Sequence, residues 1–214
     1  MDENKNTLKG TTTVGIKCKD GVVLAADKRA TAGHLVVNKK TDKIYNISKN
    51  MAITMAGTVS DAQLLSKLIK AELNLKKLRS GRNATVRESA NLLAGMVYGN
   101  IRKMSMIPGV SHFLMGGKDE TGYYLFDIFA DGSLTEEDEY ITSGSGSVMA
   151  FGVLETLYKP DISIDEGVSL AIKSVNAALQ RDSASGNGLK IITITEKGIE
   201  EVFNKTINVG IKEE

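Results

Sequence analysis

Two periods alternate along this 214-residue chain: a two-residue period in three blocks, and a helical period in two blocks between them. Thr12 to Cys18 alternates in polarity, Lys19-Asp20-Gly21 has the composition of a tight turn, and Val22 to Asp27 is a second apolar run, which predicts a hairpin. The polar stretch from Thr31 to Thr41, containing Gly33, reads as a loop. Lys43 to Ile47 and Met51 to Ala56, ending at Gly57, predict a second hairpin turned through Ser48-Lys49-Asn50. A helix is predicted from about Asp61 to Leu78, with Leu65, Leu68 and Ile69 at core spacing. After Ser80-Gly81, a capping box (Thr85-Val86-Arg87-Glu88) opens a second helix with Leu92, Leu93, Met96, Val97, Ile101 and Met104 on one face before Pro108. Met96, Met104 and Met106 are expected to fill the core.

The strand period returns at Ser111 to Met115, passes Gly116-Gly117, and resumes from Tyr123 to Phe129 before a turn at Ala130-Asp131-Gly132. Tyr140-Ile141-Thr142 leads into the small-residue run Ser143-Gly144-Ser145-Gly146-Ser147. A helix is predicted from about Val148 to Tyr158, broken at Lys159-Pro160. Another capping box, Ser163-Ile164-Asp165-Glu166, starts a helix whose stripe is Val168, Ala171, Ile172, Val175, Ala178 and Leu179. It runs into Arg181-Asp182-Ser183-Ala184-Ser185-Gly186. Leu189 to Thr195 and Ile199 to Phe203 are the last strands, ahead of a Lys212-Glu213-Glu214 tail. Strands, two helices, strands, two helices, strands: each β block then has one face for helices and one for the other block. The predicted class is α+β, a four-layer αββα sandwich of mostly antiparallel sheets.

Composition removes several alternatives. The chain is 42% hydrophobic and large enough for one well-buried domain. Its 27 basic and 26 acidic residues leave a net charge of +1, so nothing draws it to nucleic acid or an anionic membrane. Cys18 is the only cysteine, which rules out an internal disulfide and a cysteine-based zinc cluster and fits a reducing interior. His34 and His112, far apart in sequence, disfavour a histidine-dependent triad or a multi-histidine metal site. No apolar run is long enough to span a membrane, so a soluble protein is expected. Residues 1–10 are polar without an apolar centre, and so are no secretory signal; they are a frayed terminus or a short removable propeptide ending at Gly10.

The candidate chemistry begins at Gly10-Thr11-Thr12-Thr13-Val14-Gly15-Ile16, where a hydroxyl directly follows a residue without a Cβ. If the Gly10–Thr11 bond is cut, Thr11 gains an α-amine with an unperturbed pKa of about 7.7–8.0, able to take the Oγ proton at neutral pH. The plain alternative is a β-branched strand start. Asp27-Lys28-Arg29 sets three charges after an apolar run, either a solvated boundary or a site on a rigid edge. Lys43 heads a strand, where protection of an edge is the alternative to chemistry. The run from Ser143 to Ser147 lacks a Gly-Lys-Ser/Thr ending, and Met149 stands where the third glycine of GxGxxG would fall, so nucleotide binding is rejected there.

Together, Thr11, Asp27, Lys43, Gly57, Ser145, Asp182 and Ser185 lie in motifs that resemble those of archaeal proteasome β subunits, which are N-terminal nucleophile hydrolases. The likeness covers Thr11 to Phe203. It rests on five motifs in order: Thr-Thr-Thr-Val-Gly, Ala-Ala-Asp-Lys-Arg, Met-Ala-Gly before the first helix, Ser-Gly-Ser-Gly-Ser, and Gln-Arg-Asp-Ser-Ala-Ser-Gly. Family members also occur with glutamate at the position of Asp27, and either carboxylate can hold a lysine.

The resemblance implies a propeptide of residues 1–10, removed at Gly10-Thr11, and a catalytic domain of residues 11–214 working as a threonine endopeptidase without cofactor or metal. Thr11 would be the nucleophile, its freed amine the base, and Lys43 the charge beside Oγ, held by Asp27. Ser145, Asp182 and Ser185 would orient the amine and a water, and the Gly57 N–H would meet the oxyanion. Thr31 and the backbone near Gly57 would pair with an extended polypeptide as an added strand. Ala30, Thr41, Tyr45, Met55 and Val59 would line the pocket before the cut; carrying no formal charge, they imply an apolar preference. Implied partners are other β subunits in two stacked heptameric rings, α subunits and an ATP-dependent unfoldase cap, in the cytoplasm. The competing readings are an inactive structural ring subunit of the same fold and an amidase acting on a small molecule.

Overall fold

The computed structural model describes residues 10–207. Most of residues 1–10 and the Lys212-Glu213-Glu214 tail lie outside the described residues. The first hairpin is β1 (Thr13–Cys18) and β2 (Gly21–Asp27), followed by β3 (Ala30–Ala32), β4 (Leu35–Asn38), β5 (Ile44–Asn46) and β6 (Met51–Gly57). Next come α1 (Val59–Ser80), α2 (Val86–Ile101), β7 (Ser111–Asp119), β8 (Gly122–Ile128), β9 (Leu134–Glu137) and β10 (Tyr140–Ser143). Helices α3 (Ser147–Leu157) and α4 (Ile164–Arg181) precede the final hairpin, β11 (Gly188–Thr195) and β12 (Gly198–Thr206).

Two five-stranded sheets form, in the orders β10-β1-β2-β11-β12 and β5-β6-β7-β8-β9, and every pairing is antiparallel. Three apolar layers hold the four-layer stack together. Val14, Ile16, Val23, Ala25 and Ile191 meet Ala171 and Val175 of α4. Val22, Leu24, Ile192 and Ile194 meet Ala52 and Leu125 between the sheets. Ile53, Phe113, Met115 and Phe126 meet Leu65, Ile69, Leu93 and Val97 of α1 and α2. Alternate residues of β2 enter different layers, and all seven are buried. That explains why this strand reads as a continuous apolar run instead of an alternation.

Both predicted capping boxes are present: Thr85 accepts from the Glu88 N–H and Ser163 from the Glu166 N–H, and each glutamate reaches back to the cap N–H. Three expectations need correction, and one strand was not predicted. The Thr31 to Thr41 loop contains the β3–β4 hairpin, whose exposed residues give no core alternation. Strand β9, four residues pairing only with β8 in its sheet, is too short and too charged to stand out. Leu68 is 43% exposed, because the inward face of α1 is Ala62, Leu65, Ser66, Ile69 and Leu73. Met104 and Met106 are fully exposed, since α2 ends at Ile101 and the apolar spacing continues into a surface turn; Met96 does pack against the core.

Candidate active site

Asp27, the last residue of β2, is buried and saturated with donors. Its Oδ1 accepts from the Thr12 N–H at 3.0 Å and the Lys43 ammonium at 2.5 Å. Its Oδ2 accepts from the N–H groups of Arg29 at 3.0 Å and Gly186 at 2.9 Å. One carboxylate therefore joins the start of β1, the start of β5 and the loop after α4. Lys43 and Asp27 side chains are 2% and 0% exposed. Burial lowers the Lys43 pKa from 10.5, while the Asp27 charge and hydrogen bond pull it back up. A buried pair with no spare lone pairs on its anion is held in one geometry, which excludes the edge-lysine reading.

Thr11 lies against this pair. Its Oγ donates to the Gly10 carbonyl oxygen at 2.6 Å, and Lys43 Nζ approaches the same oxygen at 3.4 Å. Gly10 is itself fixed: its N–H donates to Thr31 Oγ at 3.0 Å, and a Cβ there would lie 2.0 Å from the Ala184 Cβ. On the other side, the Thr11 N–H donates to Ser145 Oγ at 3.3 Å. The hydroxyls of Ser145 and Ser185 both donate to Asp182 Oδ2 at 2.5 Å, and Ser185 Oγ lies 2.7 Å from Thr12 Oγ. Gly144 makes this possible. At φ 93° it turns the chain around the Thr11 carbonyl, 2.1 Å from where a Cβ would sit.

Six of the seven residues in the expected catalytic group therefore touch one another or Thr11 through hydrogen bonds. Gly57 stands apart. It closes β6 at φ 114°, and among the described residues its N–H makes no hydrogen bond to Gly10 or Thr11. The residues expected to line a pocket are spread over β3, the loop ahead of β5, β5, β6 and the start of α1. Ala30 and Met55 are buried, Val59 is 39% exposed, and Tyr45 donates its hydroxyl to the Asp42 carbonyl at 2.9 Å. Thr41 Oγ is buried without a partner among the described residues.

A family model for "Proteasome subunit" matches residues 7–194. The chain belongs to the proteasome subunit family. It is 45% identical over 199 residues to "Proteasome subunit beta" of Ferroglobus placidus, covering 93% of each chain. To the protein of the same name from Methanococcus aeolicus it is 46% identical, over 93% of this chain and 90% of that one. For the one from Archaeoglobus fulgidus the figures are 44%, 88% and 86%.

In this proteasome subunit the site and its surroundings also contain groups outside the expected catalytic set. Thr12 has the sequence of a plain strand start, yet its N–H and hydroxyl join Asp27 to Ser185. Arg29 fastens the loop after α4, donating from Nε to Asn187 Oδ1 at 2.8 Å and from a terminal nitrogen to the Ser183 carbonyl at 2.7 Å. His112 hydrogen-bonds Asp127 through Nε2 and Ser143 through Nδ1, the latter at 2.8 Å. The available signal was positional: His112 and Asp127 share the strand parity of Gly116 and Leu125, which face the other sheet.

Proposed function

We propose that this chain is the catalytic β subunit of a proteasome core particle, a threonine-type endopeptidase made active by loss of residues 1–10. The observation that carries this reading is the geometry at the Gly10–Thr11 bond, with a hydroxyl at 2.6 Å and an ammonium at 3.4 Å from one carbonyl oxygen. In the first step Thr11 Oγ bonds to the Gly10 carbonyl carbon, with charge building on an oxygen beside Lys43. As the C–N bond breaks, the Oγ proton passes to the Thr11 nitrogen, leaving Gly10 as an ester on Oγ. Water then splits the ester into a Gly10 carboxylate and a Thr11 with free amine and hydroxyl.

The mature reaction repeats this chemistry on a substrate. The Thr11 amine takes the Oγ proton, and Oγ attacks the scissile carbonyl, whose oxyanion receives the Gly57 N–H. The leaving nitrogen takes the proton from the Thr11 ammonium, and a water deprotonated by the same amine releases the acyl group. Ser145, Asp182 and Ser185 hold that amine. Lys43, fixed by Asp27, favours the alkoxide. Thr31 already holds a peptide N–H, that of Gly10, which supports its role in receiving an extended polypeptide. Ala30, Thr41, Tyr45, Met55 and Val59 select apolar side chains before the cut. Assembly with other proteasome subunits extends, in this reading, to two stacked heptameric β rings between α rings, with an ATP-dependent unfoldase delivering unfolded chains in the cytoplasm.

Substituting the nucleophile tests the reading. Thr11→Ala is expected to assemble with residues 1–10 retained and to lose activity on a fluorogenic peptide with an apolar residue before the scissile bond. Thr11→Ser keeps a hydroxyl and an amine, and is expected to retain part of it. Residual turnover at the wild-type level in Thr11→Ala particles would assign the nucleophile elsewhere.

A further inference from the structure

Outside the Thr11 cluster, a polar assembly joins the two sheets, with Ser143 buried and the side chains of His112 and Asp127 16% and 18% exposed. His112 on β7 and Asp127 on β8 belong to one sheet, and Ser143 at the end of β10 to the other. Both ring nitrogens have a partner: Nε2 hydrogen-bonds the Asp127 carboxylate and Nδ1 the Ser143 hydroxyl. Phe129 holds the ring from a third side, edge to face with centroids 4.9 Å apart. The trio has the residue types of a hydrolytic triad, but Ser143 is 2% exposed and no substrate can reach it. Its place in the chain gives it a different task.

Ser143 is the last strand residue before the turn that grips Thr11. One residue on, Gly144 packs its backbone against the Thr11 carbonyl; two residues on, Ser145 meets the Thr11 nitrogen; three on, the Gly146 N–H donates to the Thr11 carbonyl at 3.3 Å. β10 is an edge strand paired only with β1, whose Thr13 lies opposite Ser143. On its own sheet's side the turn is held by that ladder, by the Thr142 hydroxyl on the Thr13 carbonyl and by Ser145 on Asp182; the hydrogen bond from Ser143 to His112 ties it to the second sheet. We propose that His112 is a positioning residue for peptide hydrolysis: anchored on Asp127, it holds Ser143 and thereby sets Ser145 against the Thr11 amine. This rests on the threonine-peptidase reading, and it extends that site across the sandwich.

The coupling to Ser145 is what a merely structural role would not produce. In particles carrying the mature Thr11, His112→Ala is expected to lower kcat for a fluorogenic peptide by about 3–10-fold, with KM within twofold, as expected when only the reacting group is misplaced. In a Ser145→Ala background the same substitution should cause no further loss. His112→Gln presents an amide oxygen and an amide N–H at the spacing of the two ring nitrogens, and should restore most of the activity. If His112→Ala particles do not assemble, Ser143→Ala deletes only the hydroxyl and should show the same drop and the same coupling. Wild-type kcat in His112→Ala or Ser143→Ala, or a full additional loss in the Ser145→Ala background, would overturn the proposal. Failure of the threonine-peptidase reading is separately visible, as activity surviving in Thr11→Ala.

Discussion

Lys43 and Asp27 form a pair that leaves little latitude at either position. With both side chains out of water, the ammonium is held by one carboxylate oxygen at 2.5 Å and faces the Gly10 carbonyl at 3.4 Å. Lys43→Arg keeps the charge, but its planar guanidinium cannot enter that space without displacing Thr11 or Asp27. It is expected to lose at least 100-fold in peptidase turnover, measured in assembled particles supplied already trimmed to Thr11 so that failed processing does not mask the result. Asp27→Asn strands the lysine and is expected to cost about 3–5 kcal/mol in denaturant unfolding, the range for breaking a buried pair by removing one partner. Cys18 shows burial acting on an idle group: its thiol is pushed from 9.0 up to about 12. It should resist iodoacetamide in the folded chain and react in denaturant. Between pH 9.0 and about 12 the unfolded chain loses this proton and the folded chain keeps it, so this thiol lowers stability as pH climbs through that window. Cys18→Ala should flatten that part of the pH–stability curve.

Helix α4 connects a local signal to the site. Its capping box fixes where it starts, its buried face (Leu170, Ala171, Ser174, Val175 and Ala178) fixes its rotation, and its C-cap is Asp182. Ser163→Ala is expected to cost about 1 kcal/mol of stability, as N-cap deletions do. Peptidase turnover in assembled particles should stay within twofold, because the cap lies at the far end from Asp182. Elements of this kind were legible because period and cap agree within one segment. The β3–β4 hairpin and β9 were not, since strands with exposed faces carry no core alternation. Met104 kept the spacing of a helix that had already ended. The Thr11, Asp27, Lys43, Ser145, Asp182 and Ser185 cluster was readable from motifs, each of them local. The Ser143–His112–Asp127 link was not, because its partners are 31 and 15 positions apart: strand pairing brings Asp127 to His112, and only the stacking of two sheets brings Ser143 to it.

For the molecule as a whole, the decisive event is the meeting of the segment ahead of β1 with the loop after α4. Gly10 is buried against Ala184, and an added Cβ would lie 2.0 Å from the Ala184 Cβ and 2.3 Å from its carbonyl oxygen. No rotamer relieves a clash with backbone, so any side chain at position 10 must push either the Gly10 carbonyl off Thr11 Oγ or the loop off Asp27. Ala184 sits in a loop tied down by Gly186 to Asp27 and by Ser183 and Asn187 to Arg29, so the Gly10 side should yield. A displacement of about 1 Å in a reacting group can cost on the order of 100-fold in rate. Gly10→Ala is therefore expected to slow loss of residues 1–10 at least tenfold, followed by intact mass of the assembled β chain. The same chain supplied already trimmed to Thr11 lacks the clashing residue and should show full peptidase activity. Processing of Gly10→Ala at the wild-type rate would mean that the Gly10 carbonyl is not held for attack by the contacts described above.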